Sequence, residues 1–159
     1  MDNVFHHAQS PVNAIICAQS YPRLQQVEFA IVDCGRGFRL SLLENPALRG
    51  RFKTAIEAVS LAVQPKVTGR PANNAGEGLF FITELVRQNR GDMAIYSEDG
   101  LFKLVSGEVK LYNAPYWSGA IVGLRLGLER PIDMKTLFDQ YAPPEEDFEL
   151  LMGDEEIPF

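Results

Sequence analysis

Apolar residues along this chain fall into two rhythms, one of strands and one of helices. Residues 12–18 (VNAIICA) and 27–32 (VEFAIV) are short, apolar and rich in β-branched side chains, which predicts two strands. Tyr21-Pro22-Arg23-Leu24 between them reads as a turn, so the pair is expected to form a hairpin. In residues 51–63 (RFKTAIEAVSLAV), Phe52, Ile56, Val59 and Val63 recur at helical spacing, and Pro65 stops the helix. Residues 78–89 (GLFFITELVRQN) predict a second helix, closed by Gly91. Three or four strands follow, at residues 92–97, 101–106, 109–112 and 120–128, with Asp99-Gly100 as the hairpin turn between the first two. Residues 132–141 predict a short terminal helix. The pattern is that of an α+β protein, a mostly antiparallel β-sheet with helices packed on one face.

Composition narrows the class. A chain of 159 residues, 46% hydrophobic and 23% charged, fits one soluble domain with its own core. No apolar run approaches the ~20 residues of a membrane helix, and MDNVFHHAQS lacks the features of a secretory signal. The net charge of −6 is concentrated at the C-terminus, where residues 145–159 hold seven acids and no base. Without that tail the body is near neutral and shows no nucleic-acid footprint. Cys17 and Cys34 make a poor disulfide framework and fit a reducing cytoplasm. Cys17 reads as a core residue, Cys34 as a small packed side chain.

Two glycine-containing stretches carry the candidate chemistry. In VDCGRGF, Asp33 ends an apolar strand and is followed by Gly35 and Gly37. Glycine admits close approach of a ligand to the backbone. A carboxylate at a strand end can accept a hydrogen bond from an exocyclic amine such as that of adenine. In NAGEGL, Gly76 and Gly78 open a helix whose first N–H groups form a natural anion site. The run KVTGRPANNAGEG before that helix is rich in Gly, Asn and Pro and is expected to be hard to order without a ligand. Arg70 within it could reach a γ-phosphate, though a loop arginine is more often solvated.

In this order the pieces resemble the GHKL ATPase superfamily, which includes gyrase, heat-shock chaperones, mismatch-repair ATPases, histidine kinases and anti-sigma kinases. Asp33-Cys34-Gly35-Arg36-Gly37 looks like the first glycine box of that family and Gly76-Glu77-Gly78-Leu79 like the second. Tyr116-Trp117-Ser118-Gly119-Ala120 is similar to the late Gly-Thr segment, with alanine at the threonine position. Asn3-Val4-Phe5-His6-His7-Ala8 resembles the asparagine box. A competing reading makes His6 a sensor-kinase phosphoacceptor. It leaves too little chain before Asp33 and puts Pro11 inside the required helix.

The resemblance implies the Bergerat fold, with an ATP-binding domain over residues 1–128, a lid at about 38–75 and a C-terminal extension over 129–159. It implies ATP and Mg²⁺ as ligands. Asp33 would bind the adenine amino group, Gly35 and Gly37 would let the ring approach, and Gly76, Gly78 and Leu79 would line the triphosphate. Asn3 would hold the magnesium. The catalytic residue is unknown, because the glutamate that activates water in hydrolytic members would precede Met1; the family's first helix is missing likewise. The resemblance leaves open a stand-alone ATPase or anti-sigma-type kinase. The alternative is a non-catalytic interaction or assembly module with a degenerate nucleotide site. An open sheet face or edge predicts a homodimer or protein partner.

Overall fold

The computed structural model describes residues 13–71 and 75–141. Four antiparallel strands form one sheet in the order β1-β2-β4-β3, with β1 at Ile15–Tyr21, β2 at Gln26–Asp33, β3 at Asp92–Val105 and β4 at Glu108–Gly127. The helices are α1 (Gly37–Leu42), α2 (Ala55–Ala62), α3 (Gly78–Asn89) and α4 (Met134–Tyr141). The molecule is thus an α+β protein, as the hydrophobic pattern predicts.

The β1–β2 hairpin closes through a 3₁₀ turn at Pro22–Leu24, with Gln25 in the left-handed conformation. The second hairpin departs from expectation. Residues 92–97 and 101–106 are one strand, not two, and Asp99-Gly100 is not its turn. Glu98 faces Trp117 and Gly100 faces Asn113, so Asp99 alone stands against Ala114, Pro115 and Tyr116. Pro115 has no N–H to give the ladder, which favours a bulge at this point. Gly100 is needed for a different reason: a Cβ there would stand 2.6 Å from the backbone nitrogen of Ile56, at the start of α2. The true turn is Ser106-Gly107, whose φ values of 53° and 81° are the positive pair that a two-residue hairpin loop requires.

One face of the sheet carries the core. Met93, Ile95, Phe102 and Leu104 of β3 pack against Ala58, Val59 and Ala62 of α2 and against Val86 of α3. The helix expected at residues 51–63 begins later, at Ala55, because Thr54 and Glu57 form a reciprocal capping box. Helix α3 ends with Arg90 in the left-handed conformation and the Gly91 N–H donating to the Val86 carbonyl. Gly91 itself is demanded by packing, since a Cβ would lie 2.2 Å from the Arg125 carbonyl oxygen.

The chain beyond β4 does not leave the body. Asn89, almost fully buried, donates to the carbonyls of Gly127 and Arg130 and accepts from the Gly127 N–H at 2.7 Å. Asp133 caps α4 through Thr136, and Leu137 of α4 is buried. Tyr141 meets Phe80 of α3 edge-on, with ring centroids 4.9 Å apart. Among the described residues no helix is long and apolar enough to cross a membrane.

Candidate functional site

The first glycine stretch and the late Trp-Ser-Gly-Ala stretch lie side by side because β2 and β4 are neighbours: Asp33 pairs directly with Ala120, and Ala120 with Ser97 of β3. The loop after β2 is then pinned at several points. Asp33 Oδ1 accepts from the Gly35 N–H at 2.8 Å and from the Ala120 N–H at 3.3 Å. Trp117 donates its indole N–H to the Asp33 carbonyl, and the Ser118 hydroxyl donates to the Gly35 carbonyl, both at 3.2 Å. Ser97 Oγ accepts from the Phe38 N–H and donates to the Gly119 carbonyl at 2.8 Å.

Two glycines make this closeness possible. Gly119 has φ +109°, and a Cβ on it would stand 2.2 Å from the Asp33 carbonyl oxygen. Gly37, with φ +75°, opens α1 so close to β3 that a Cβ would stand 2.5 Å from Ser97 Oγ. The loop geometry therefore needs glycine at 37 whether or not a ligand is present.

Asp33 is only 8% exposed. Its Oδ1 is held by two amides, and among the described residues its Oδ2 has no hydrogen-bond partner. Among the described residues, the fully buried oxygens without a donor are instead Ser60 Oγ and Glu98 Oε1, and Asp33 Oδ2 is not one of them.

The second glycine stretch reaches the same helix from its other end. Gly76, at φ +73°, packs on the backbone of Val67, where a Cβ would lie within 2.8 Å of three backbone atoms. Two residues on from Val67, Gly69 packs on Ser41 near the end of α1, where a Cβ would meet the Ser41 carbonyl at 2.1 Å. The two loops thus bracket α1, whose six residues span ~9 Å at the helical rise of 1.5 Å per residue. Gly78 differs: a Cβ there would meet nothing within 4 Å. It opens α3, and Glu77 before it gives the helix no side-chain cap. Leu79 points its side chain into the core, so only its backbone is available to a ligand.

Residues 67–69, expected to be hard to order without a ligand, are buried. The Asn45 amide donates to the Thr68 carbonyl at 2.9 Å, and Arg70 Nε pairs with Glu44 at 2.7 Å. Arg70 is therefore ion-paired, not a solvated loop arginine. Arg36 pairs with the same glutamate. These two guanidinium groups hold the Glu44 carboxyl down to about 2, through their hydrogen bonds first and their charge second. Glu44 thus bridges Arg36, in the loop after β2, and Arg70, in the segment before the second glycine stretch.

Sequence reading overlooked Ser97, Arg39 and Glu98. Glu98 sits at the bulge with φ 54° and is buried, and its Oε2 accepts from Arg39 Nε at 2.8 Å. Only the bulge brings Glu98 inward after Ser97, and a bulge leaves no mark in the residue periodicity. Cys17 was expected in the core. It is exposed, as are its neighbours on both faces of the edge strand β1. Asn3 and the two histidines lie outside the described residues, and so do Asn73 and Asn74. Among the described residues no cluster of three or more His, Cys, Asp or Glu side chains forms a metal centre.

Two cavities bounded by described residues lie elsewhere. One, of about 550 Å³, runs over the helix-free sheet face, floored by Cys17, Ala30, Gly123 and Ala94. The other, of about 160 Å³, is lined by Arg90, Arg125 and Arg130 among others. Neither includes Asp33 or the glycines of the two loops. No protein-family model matches this chain, and no curated protein matches it.

Proposed function

We propose that this chain is an adenine-nucleotide-binding domain of the GHKL type, with ATP as its ligand. The observation that carries the reading is the Asp33 carboxylate at a strand end, with one oxygen locked by two amides and the other not engaged by them. An exocyclic amine can donate to that second oxygen, and a carboxylate fixed in advance loses no rotamer freedom in accepting it. The backbone of Gly35 is fixed by its N–H donating to Asp33 and its carbonyl accepting from Ser118. The uncapped start of α3 suits the phosphate end. In this reading Ala120 contributes its backbone N–H to Asp33, the part of the site where the resemblance would place a threonine hydroxyl.

Magnesium enters only through the resemblance, as the metal that would neutralise the phosphates. Its assigned ligand, Asn3, lies outside the described residues. The proposal is of binding in a reducing cytoplasm; hydrolysis and phosphotransfer are further questions of activity.

Titration calorimetry with ATP and Mg²⁺ tests the reading. Asp33→Asn keeps an oxygen for Gly35 and Ala120 but turns an N–H₂ toward the base. Loss of one charge-assisted hydrogen bond, about 1.5–3 kcal/mol, weakens ATP affinity roughly 10- to 100-fold. Absence of ATP binding by the wild-type chain, or equal affinity in the variant, overturns it. A second reading, an assembly module with no nucleotide, is favoured by the exposure of strand β1. Such a module keeps its oligomeric state and ignores ATP in the same experiment.

A further inference from the structure

The two edges of the sheet are unlike. At one edge, β3 is distorted at Glu98, opposite the extra residues of β4, and carries Asp92, Glu98, Asp99 and Lys103. Bulges and charges are the devices by which an edge strand is kept from pairing with another chain. At the other edge, β1 has none of them. Its seven residues, IICAQSY, contain no charge, no proline and no bulge, and their ladder with β2 is unbroken. Every other strand of the sheet carries charged side chains. Among the described residues no strand pairs with β1 on the side away from β2, so its outward backbone groups form an open ladder. Exposure is high on both sides of the strand, with Ile15 62% and Ile16 50% accessible.

We infer that β1 pairs antiparallel with β1 of a second copy, about a two-fold axis at Ala18, to make one eight-stranded sheet. Three features select this occupant. The strand is uncharged, so self-pairing sets no like charges opposite one another. An axis at the middle residue of the seven places Ile15 opposite the second copy's Tyr21, Ile16 opposite its Ser20 and Cys17 opposite its Gln19. On the helix-free face, where Ile15 shares a row with Val32 and Ile121, this pairing lays a tyrosine ring beside the most exposed isoleucine. Finally, a dimer built this way ends in the two β3 edges, which are bulged and charged. Assembly therefore closes at two copies instead of running on into a fibre. The inference is independent of the nucleotide reading.

The test uses the full chain at micromolar concentration in sedimentation velocity and light scattering. The wild-type mass is expected at twice 17.7 kDa. Cys17→Lys with Gln19→Lys puts ammonium groups opposite one another across the axis and is expected to return the monomer mass. Mixing that variant with Cys17→Glu, Gln19→Glu chains is expected to restore the dimer mass. Independently, Gln19→Cys is expected to oxidise to a covalent dimer through Cys17 of the second copy, because directly opposed residues have the spacing a disulfide needs. Leu24→Cys, exposed but off the strand, serves as the control and is expected to stay monomeric on oxidising gels. A wild-type chain that is monomeric overturns the inference. So does a dimer that the lysine pair leaves intact. If the lysine variant fails to fold, the Gln19→Cys cross-link decides, and cross-linking no greater than that of Leu24→Cys sinks the proposed register.

Discussion

The carboxylate of Asp33 accepts a hydrogen bond from the backbone of Ala120, 87 positions away along the chain, at 3.3 Å. The same oxygen also takes the Gly35 N–H, so one side chain ties the end of β2, the loop after it and the middle of β4 together.

That double use separates the structural role of Asp33 from a binding role. Asp33→Ala leaves two amides without an acceptor in a buried place and is expected to cost about 2–4 kcal/mol of stability. Asp33→Asn retains an acceptor oxygen and is expected to cost under about 1 kcal/mol, within the range of an ordinary neutral hydrogen bond. Urea denaturation of the two variants checks this. Equal losses would mean that the oxygen bound by the amides is not what holds the loop.

The glycines divide into those that packing requires and one that it does not. Gly119→Ala forces a Cβ to within 2.2 Å of the Asp33 carbonyl at a φ of +109°, and overpacking with backbone strain is expected to cost about 3 kcal/mol. Gly78→Ala meets open space and is expected to leave stability unchanged or raise it by about 0.4–1 kcal/mol. If phosphates approach the start of α3, the same Gly78→Ala chain binds ATP more weakly while its thermal midpoint holds. Calorimetry and thermal melts on one preparation give both numbers.

Glu44 sets an acid limit. Hydrogen bonds from Arg36 and Arg70 lower its folded carboxyl to about 2 from an ordinary value of 4.5. A group lowered in the folded state contributes stability that is fully present above 4.5 and is lost as the pH falls through 2. Glu44→Gln is therefore expected to be less stable than wild type at pH 7, and the gap is expected to narrow steadily below pH 4.5. Denaturation midpoints measured at several pH values in that window test it; a gap that stays constant would exclude the charged form as the source.

Asn89 is the clasp between α3 and the chain after β4. Asn89→Ala removes the acceptor of the Gly127 N–H and the donor to the carbonyls of Gly127 and Arg130. Losing these buried bonds is expected to cost about 2–4 kcal/mol. Amide exchange is the sharper measurement: protection is expected to fall at Gly127 and in α4, with β1 and β2 little changed.

Much of this was legible in residue order. VNAIICA and VEFAIV around a Pro-containing turn specified the first hairpin, because two short β-rich runs with one turn between them have few other ways to pair. The spacing of apolar residues in GLFFITELVRQN specified α3 to the residue at both ends. Asp99-Gly100 misled because a dipeptide's turn propensity is a local quantity. Pro115 and the approach of Ile56, both distant in the chain, convert that dipeptide into a bulge and pass the turn to Ser106-Gly107.

For the site, the chain order of Asp33, Gly35 and Gly37 was enough to mark a loop, and the sequence by itself determined that an acid would end an apolar strand. Only the tertiary structure decided which atoms that acid would meet. Periodicity and turn chemistry act over a few residues and survive in the sequence as pattern. The bonds from Ala120 and Trp117 to Asp33, the seat of Gly69 on Ser41 and the inward turn of Glu98 join segments far apart in the chain. They depend on strand order and close packing, which no local spacing records.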